Sequence, residues 1–133
     1  IEKILSENEE KAKASKLILQ PMNNQYELRK FLHKNGYKIL CEDIATEGEK
    51  VYNLIVACEG KDEPFEDDFS YHIPEYLLNH PLFSEFLNKK IREYKKIIMG
   101  NEKAANKDYE LIGYYKNLLN KALELLEKKE SEK

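Results

Sequence analysis

Apolar positions along this 133-residue chain follow three different spacings, and each spacing predicts a different kind of element. Leu17, Ile18 and Leu19 form a short continuous apolar run, the pattern of a strand buried on both faces, and Pro21 has no N–H to give a sheet ladder, so a strand over Lys16–Gln20 ends there. Beyond it, Tyr26, Leu28, Phe31 and Leu32 recur at helical spacing; the spacing predicts a helix over Asn23–Asn35, capped by Asn23 or Asn24 and stopped by a left-handed residue at Asn35-Gly36. Two β-rich runs, Tyr37–Ala45 (YKILCEDIA) and Val51–Cys58 (VYNLIVAC), flank Thr46-Glu47-Gly48-Glu49, a turn short enough to allow only an antiparallel hairpin. The helix between Gln20 and Tyr37 supplies the crossover that a parallel pairing needs. Upstream, Ile1–Ser15 is rich in Glu, Lys and Ala with Ile1, Ile4 and Leu5 at helical spacing, and reads as one amphipathic helix.

The second half has another character. Tyr71–His80 (YHIPEYLLNH) predicts a short turn of helix broken by Pro74 and Pro81. Phe83, Leu87, Ile91, Tyr94 and Ile98 then repeat at spacings of four, four, three and four, Gly100-Asn101 interrupts the run, and Leu111, Tyr115, Leu118, Ala122 and Leu125 repeat again. Two long helices joined near Met99–Ala105 make an antiparallel helical hairpin with a coiled-coil seam, and the charged tail Lys128–Lys133 is expected to fray. The expected fold class is therefore α/β, with one parallel strand, an antiparallel hairpin and flanking helices followed by the helical hairpin. The expected division is 1–60, an acidic linker with a short helix over 61–80, and 81–133. A three-stranded sheet cannot cover both faces of Leu17–Leu19, so a partner subunit or further strands upstream of Ile1 are expected to complete it.

Charge refines this picture. The chain has 22 Lys and Arg against 25 Asp and Glu, a net charge of −3, so as a whole it does not attract nucleic acid. The distribution is uneven: Glu59–Asp68 (EGKDEPFEDD) is acidic and Asn88–Lys96 (NKKIREYKK) is basic. Lys89, Arg92 and Lys96 share one helix face, a stripe that suits a phosphate backbone, although a solvated helix face carries the same charge. No run of apolar residues is long enough to span a membrane, and the start Ile1-Glu2-Lys3 has no signal-peptide pattern and no methionine, consistent with part of a longer polypeptide. Cys41 and Cys58 have neither CxxC spacing nor a nearby histidine and read as reduced thiols of a cytoplasmic protein; His33, His72 and His80 are scattered, so no metal site is expected. In open α/β sheets ligands collect at the carboxyl ends of strands, where Gln20, Pro21, Met22, Asn23 and Asn24 fall. Glu42 and Tyr52 are expected beside each other across the hairpin.

The order helix, strand, helix and terminal antiparallel hairpin is the ending of the Rossmann-like methyltransferase fold. More specifically, LILQPMNNQYELRKFLHKNGYKILCEDIATEGEKVYNLIVA resembles the bacterial tRNA (adenine-N1)-methyltransferases that modify adenine 22. The resemblance lies in Leu17–Pro21, in Asn35–Tyr37, and in Glu42, Lys50, Tyr52, Ile55, Val56 and Ala57; Pro74–Leu87 (PEYLLNHPLFSEFL) is similar to that family's entry into its C-terminal coiled-coil domain. One departure stands out, since many members carry Asn directly after Gln-Pro and this chain has Met22 there, then Asn23. The resemblance implies S-adenosyl-L-methionine as cofactor and tRNA as substrate, with Gln20–Asn24 on the substrate side and Lys89, Arg92 and Lys96 holding tRNA. It also implies that the glycine-rich cofactor loop lies upstream of Ile1, so that the chain is a C-terminal half, inactive alone, and open to self-association through its incomplete sheet or its coiled coil. The competing expectation is a non-enzymatic module of α/β cap and coiled coil that binds a protein.

Overall fold

The computed structural model describes residues 1–132, the side chain of Ala12 apart. Strand β1 (Leu17–Leu19), helix α3 (Gln25–Lys34) and strands β2 (Tyr37–Glu47) and β3 (Lys50–Glu59) follow one another as the apolar spacing predicts. The sheet order is β1-β3-β2. β3 pairs antiparallel with both neighbours, Leu19 opposite Ile55 on one side and Glu47 opposite Lys50 on the other. β1 and β2 therefore point the same way, as the crossover through α3 requires, but they do not pair, because β3 returns through a two-residue turn and takes the place between them. Gly48, at φ +62, provides the left-handed residue of that turn, and Gly36, at φ +81, ends α3 as expected.

One face of β3 carries Val51, Asn53, Ile55 and Ala57, all buried. The core beneath α3 gathers Leu5, Leu28, Leu32, Tyr37, Ile55 and Ala57, with Leu17, Leu19, Phe31 and Ile39 packed against it. β1 is not buried on both faces: Leu17 and Leu19 turn to this core, while Ile18 is 72% exposed on an edge strand.

Ile1–Ser15 is likewise two helices rather than one, α1 (Glu2–Glu7) and α2 (Glu9–Lys13). Asn8 separates them; its backbone leaves the helical region (φ −121, ψ 37) and its side-chain amide bonds the Ile4 carbonyl at 3.0 Å, the local alternative that asparagine offers to a continuing helix.

A β-bulge between Ile39 and Cys41 sets the register of the hairpin. The extra residue, Leu40, shifts β2 by one position, so Glu42 rather than Cys41 lies opposite Ile55 on the core face. Tyr52 lies opposite Ala45, and the expected Glu42–Tyr52 neighbourhood does not form.

The chain divides into two compact units, Ile1–His80 and a second from Pro81 onward. In the first, the acidic loop leads into α4 (Phe69–His72) and a 3-10 turn (Glu75–Leu77), which Pro74 separates. The second is formed by α5 (Phe83–Glu102) and α6 (Tyr109–Ser131). They are antiparallel: Lys129 stands over the Phe83 ring, Tyr94 meets Tyr115, and Lys116 reaches Glu102. Phe83, Leu87, Ile91, Tyr94, Ile98, Leu118 and Ala122 are buried as the heptad spacing predicts. α5 does not break at Gly100-Asn101. A helical glycine costs about 1 kcal/mol, too little to end a helix held along its length by packing, and the Asn101 side chain bonds the Ile97 carbonyl. Lys128–Ser131 stay helical, with Lys129 anchored over Phe83, and Lys133 lies outside the described residues.

Candidate functional site

The turn that follows β1 presents Gln20, Met22, Asn23 and Asn24 to solvent and buries Pro21. Met22 is 70% exposed. Asn24 occupies the cap position of α3, but in the left-handed region (φ 57, ψ 35), and its side chain makes no capping bond. Its carbonyl accepts the first helical hydrogen bond, from Leu28 N–H at 3.1 Å. A side chain that caps its helix is spent on the backbone; those of Gln20 and Asn23 are exposed at the carboxyl end of β1, and that of Asn24 is left outside the cap.

Beneath this turn lie buried amides that apolar spacing does not reveal. Gln25 begins the buried stripe of α3, and its Oε1 has no hydrogen-bond partner among the described residues. Asn53, 1% exposed, is in the same condition at both Oδ1 and Nδ2. Continuing the β1–β3 register places Asn53 level with Pro21.

Alongside, α3 is locked to β2 through a buried ion pair. Arg29 donates from Nε and Nη2 to Glu42 Oε2 and Oε1, each at 2.8 Å, and from Nη1 to the Tyr71 carbonyl at 2.8 Å. Both charged side chains are sealed from solvent. The Tyr76 hydroxyl donates to Glu42 Oε2. Burial works against the Arg29 charge, yet the adjacent carboxylate outweighs it and holds the guanidinium protonated; burial and the same carboxylate push the Tyr76 phenol far above its ordinary range, so it remains a donor. One signal was available in the sequence: Arg29 falls within the Gln25, Leu28, Leu32 stripe, where a charged side chain needs a partner.

The acidic loop is tied down at two further points. His33 contacts the Tyr71 hydroxyl through Nδ1 (3.0 Å) and Asp62 through Nε2 (3.1 Å), and Asp62 also accepts Ile39 N–H at 2.8 Å. The Tyr71 hydroxyl also accepts Phe65 N–H at 3.2 Å, so the loop backbone, Tyr71, His33 and Asp62 form one hydrogen-bonded chain. Asp68 takes the Tyr26 hydroxyl and Lys30 Nζ (3.0 Å), while the Tyr26 ring stacks on His72 with centroids 4.0 Å apart. Glu66, Asp67 and, further on, Glu75 line a groove of about 460 Å³ with Phe65 and Tyr76. Its charge opposes phosphate.

His80 Nε2 stands 2.6 Å from Asp43 Oδ1. This contact, then the Ile44 N–H at 2.9 Å, holds the Asp43 carboxyl below its ordinary range. A depressed carboxylate contributes stability that is present above its unfolded pKa and disappears as pH falls through the folded value, so the pair acts above about pH 4 and fades below it. Asp43 is largely exposed, and the effect on stability is small. The sharper prediction is spectroscopic: in His80→Ala, the NMR titration midpoint of Asp43 moves up, and an unchanged midpoint refutes the assignment.

On α5, Arg92 and Lys96 are exposed and Lys89 is half-buried, at spacings that place them along one side of the helix. Their neighbour Lys90 is buried against the Phe86 ring and bonds Glu93 at 3.4 Å, so it belongs to the packing. Among the described residues, no three His, Cys, Asp or Glu side chains are grouped to hold a metal, and no helix is long and apolar enough to cross a membrane.

Solved structures share this fold. A Streptococcus agalactiae protein of the NADB-Rossmann superfamily superposes with a TM-score of 0.74 at 26% identity over 94% of this chain and 54% of its own. Streptococcus pneumoniae Sp1610 in complex with S-adenosyl-L-methionine gives 0.73 at 23% identity, over 95% and 54%. The Bacillus subtilis m1A22 tRNA methyltransferase TrmK gives 0.72 at 19% identity, over 94% and 57%. The chain thus spans a little over half the length of each. No curated protein matches it significantly. The family model of tRNA (adenine(22)-N(1))-methyltransferase, TrmK, matches residues 1–122, and the chain belongs to that family.

Proposed function

We propose that this chain is the C-terminal part of an S-adenosyl-L-methionine-dependent tRNA adenine-N1 methyltransferase of the bacterial cytoplasm, with residues 1–60 completing a larger Rossmann-like sheet, residues 61–80 as an acidic connection, and residues 81–133 as a coiled-coil appendage that holds tRNA. The observation that carries the reading is β1 at the edge of the sheet, paired on one side only among the described residues, with its apolar Ile18 72% exposed on the sheet face opposite the core, as in a sheet made to continue and to be covered there.

The residues described do not fit a cofactor site. Each of the five glycines stands alone in the sequence, so no glycine-rich turn is available to approach a nucleotide, and the turn after β1 is Gln-Pro-Met-Asn-Asn. When bound in the whole enzyme, the cofactor supplies an electrophilic methyl group. The base's own N1 is the nucleophile, so what this chain contributes is position. The exposed amides of Gln20 and Asn23 each offer a donor and an acceptor, the pair that an adenine edge takes, and the base must leave its helix to reach them. Lys89, Arg92 and Lys96 hold phosphates, which orients the RNA without reading its sequence. The acidic groove lined by Glu66, Asp67 and Glu75 repels the phosphate backbone. By this reading the 133 residues transfer no methyl group alone; N1-methyladenosine formed by the chain with tRNA and cofactor at the rate of a full-length relative refutes it.

RNA holding is tested separately. Affinity of the chain for tRNA falls steeply with salt, and the combined change of Lys89, Arg92 and Lys96 to Glu lowers it on the order of 100-fold at low salt and flattens the salt slope by roughly 3. Indifference to both salt and charge reversal favours a protein-binding module.

A further inference from the structure

The turn Gln20–Asn24 is flanked at its two ends by amide side chains that the core leaves unsatisfied. At one end, the β1–β3 register sets Leu19 opposite Ile55 and so brings Pro21, which is buried, level with Asn53. At the other, Asn24 leads directly into Gln25, the first residue of α3. Both amides are enclosed: Gln25 is 3% and Asn53 1% exposed, and Gln25 Oε1, Asn53 Oδ1 and Asn53 Nδ2 have no hydrogen-bond partner among the described residues. Val51 and Ile55, the neighbours of Asn53 on the same face of β3, are apolar and carry no such cost.

The two amides lie at one level of the core. Arg29 reaches Glu42, which stands opposite Ile55. Gln25 precedes Arg29 by one helical turn, about 6 Å along α3. Asn53 precedes Ile55 by two residues, about 6.8 Å along β3. Both steps lead toward the turn, because at the other end Gly60 N–H bonds the Gly36 carbonyl at 3.0 Å, which joins the end of α3 to the end of β3. Asn53 and Ile55 share the sheet face that α3 covers. Enclosed polar atoms that converge in this way are ordinarily satisfied by fixed water.

We propose that Gln25 and Asn53 hold internal water that clamps the turn between α3 and β3. Water both accepts and donates: it takes the Asn53 Nδ2 proton and gives its own to Gln25 Oε1 and Asn53 Oδ1, so that all three atoms are satisfied. The two residues are positioning residues. They touch no base, and they fix the turn that carries the exposed amides of Gln20 and Asn23. The inference rests on the base-holding role proposed above for those amides and adds what keeps them in place before a base arrives.

NMR of the whole chain tests it. The side-chain amide protons of Asn53 show magnetisation transfer to a long-lived water, and a direct bond between the two amides with no such water overturns the clamp. Asn53→Leu, close in volume and apolar, lowers the melting temperature, whereas an amide without bonds makes the same change neutral or stabilising. Gln25→Met repeats the test from α3 without touching the sheet, and Asn53→Thr, which keeps a hydroxyl for the water, holds most of the stability. Adenosine titrated into the wild-type chain shifts the side-chain amide signals of Gln20 and Asn23. In Asn53→Leu the same shifts need about tenfold more adenosine, and in Asn53→Thr about the wild-type amount, while the signals of α5 and α6 stay unchanged. Equal adenosine affinity in the wild type and Asn53→Leu overturns the positioning role and leaves base holding intact. If adenosine moves neither amide in the wild type, base holding falls and the positioning role falls with it.

Discussion

Replacing Arg29 by Met is expected to destabilise the first unit by about 3–5 kcal/mol, a shift measurable as a lower urea midpoint with unchanged slope. The cost does not come from losing a contact that is strongly favourable in itself. Two charges sealed from water gain little over an apolar pair of the same volume, because the desolvation of each nearly cancels their attraction. Removing only Arg29 leaves the Glu42 carboxylate buried with the Tyr76 hydroxyl as its remaining donor, and frees the Tyr71 carbonyl as well. The double substitution Arg29→Met with Glu42→Leu removes that stranded charge and is expected to recover most of the loss. A double variant as unstable as the single one would mean that the bidentate geometry itself holds α3 to β2.

Leu87→Ala carries the second large effect, a loss of about 2–5 kcal/mol in the helical hairpin. Leu87 is fully buried. The pairings of Phe83 with Lys129 and of Tyr94 with Tyr115 place it between the levels of Leu125 and Ala122, the latter also fully buried. A large side chain thus meets a small one across the seam, and truncating the large member leaves a cavity that neither helix backbone can close without losing its other contacts. Adding Ala122→Leu to Leu87→Ala moves the bulk to the opposite helix and is expected to restore part of the stability, whereas Ala122→Leu alone overpacks the seam and costs about 1–3 kcal/mol. Thermal unfolding followed by circular dichroism distinguishes these outcomes. Equal stability of all three variants would show that the seam is not packed at this level.

The elements were legible wherever a local rule had no rival. The apolar run before Pro21, the 3.6-residue spacing of α3, Gly36 and Gly48 at left-handed positions and the heptad spacing of α5 and α6 each follow from interactions within a few residues, and the structure carries all of them. Reading failed where two local rules competed. Asn8 sits inside a helical pattern and ends it through its own side chain, while Gly100 resembles a break and is carried through because packing along α5 outweighs one poor residue.

The candidate site divides in the same way. That Gln20–Asn24 lie at the carboxyl end of a strand follows from chain order. That Glu42 enters the core does not, because a single bulged residue at Leu40 reverses which side of β2 faces inward, and a two-residue period cannot register it. The same holds for the partners of Arg29, which come from β2 and from the segment after the acidic loop, 13 and 42 residues away along the chain. The buried amides of Gln25 and Asn53 read as ordinary polar positions until the register brings them beneath the turn. Hydrophobic period and turn chemistry act over a few residues and so are written in the order of the amino acids. Strand order, the bulged register and the enclosure of a charge depend on which distant segments meet, a choice made by the free energy of the assembled core.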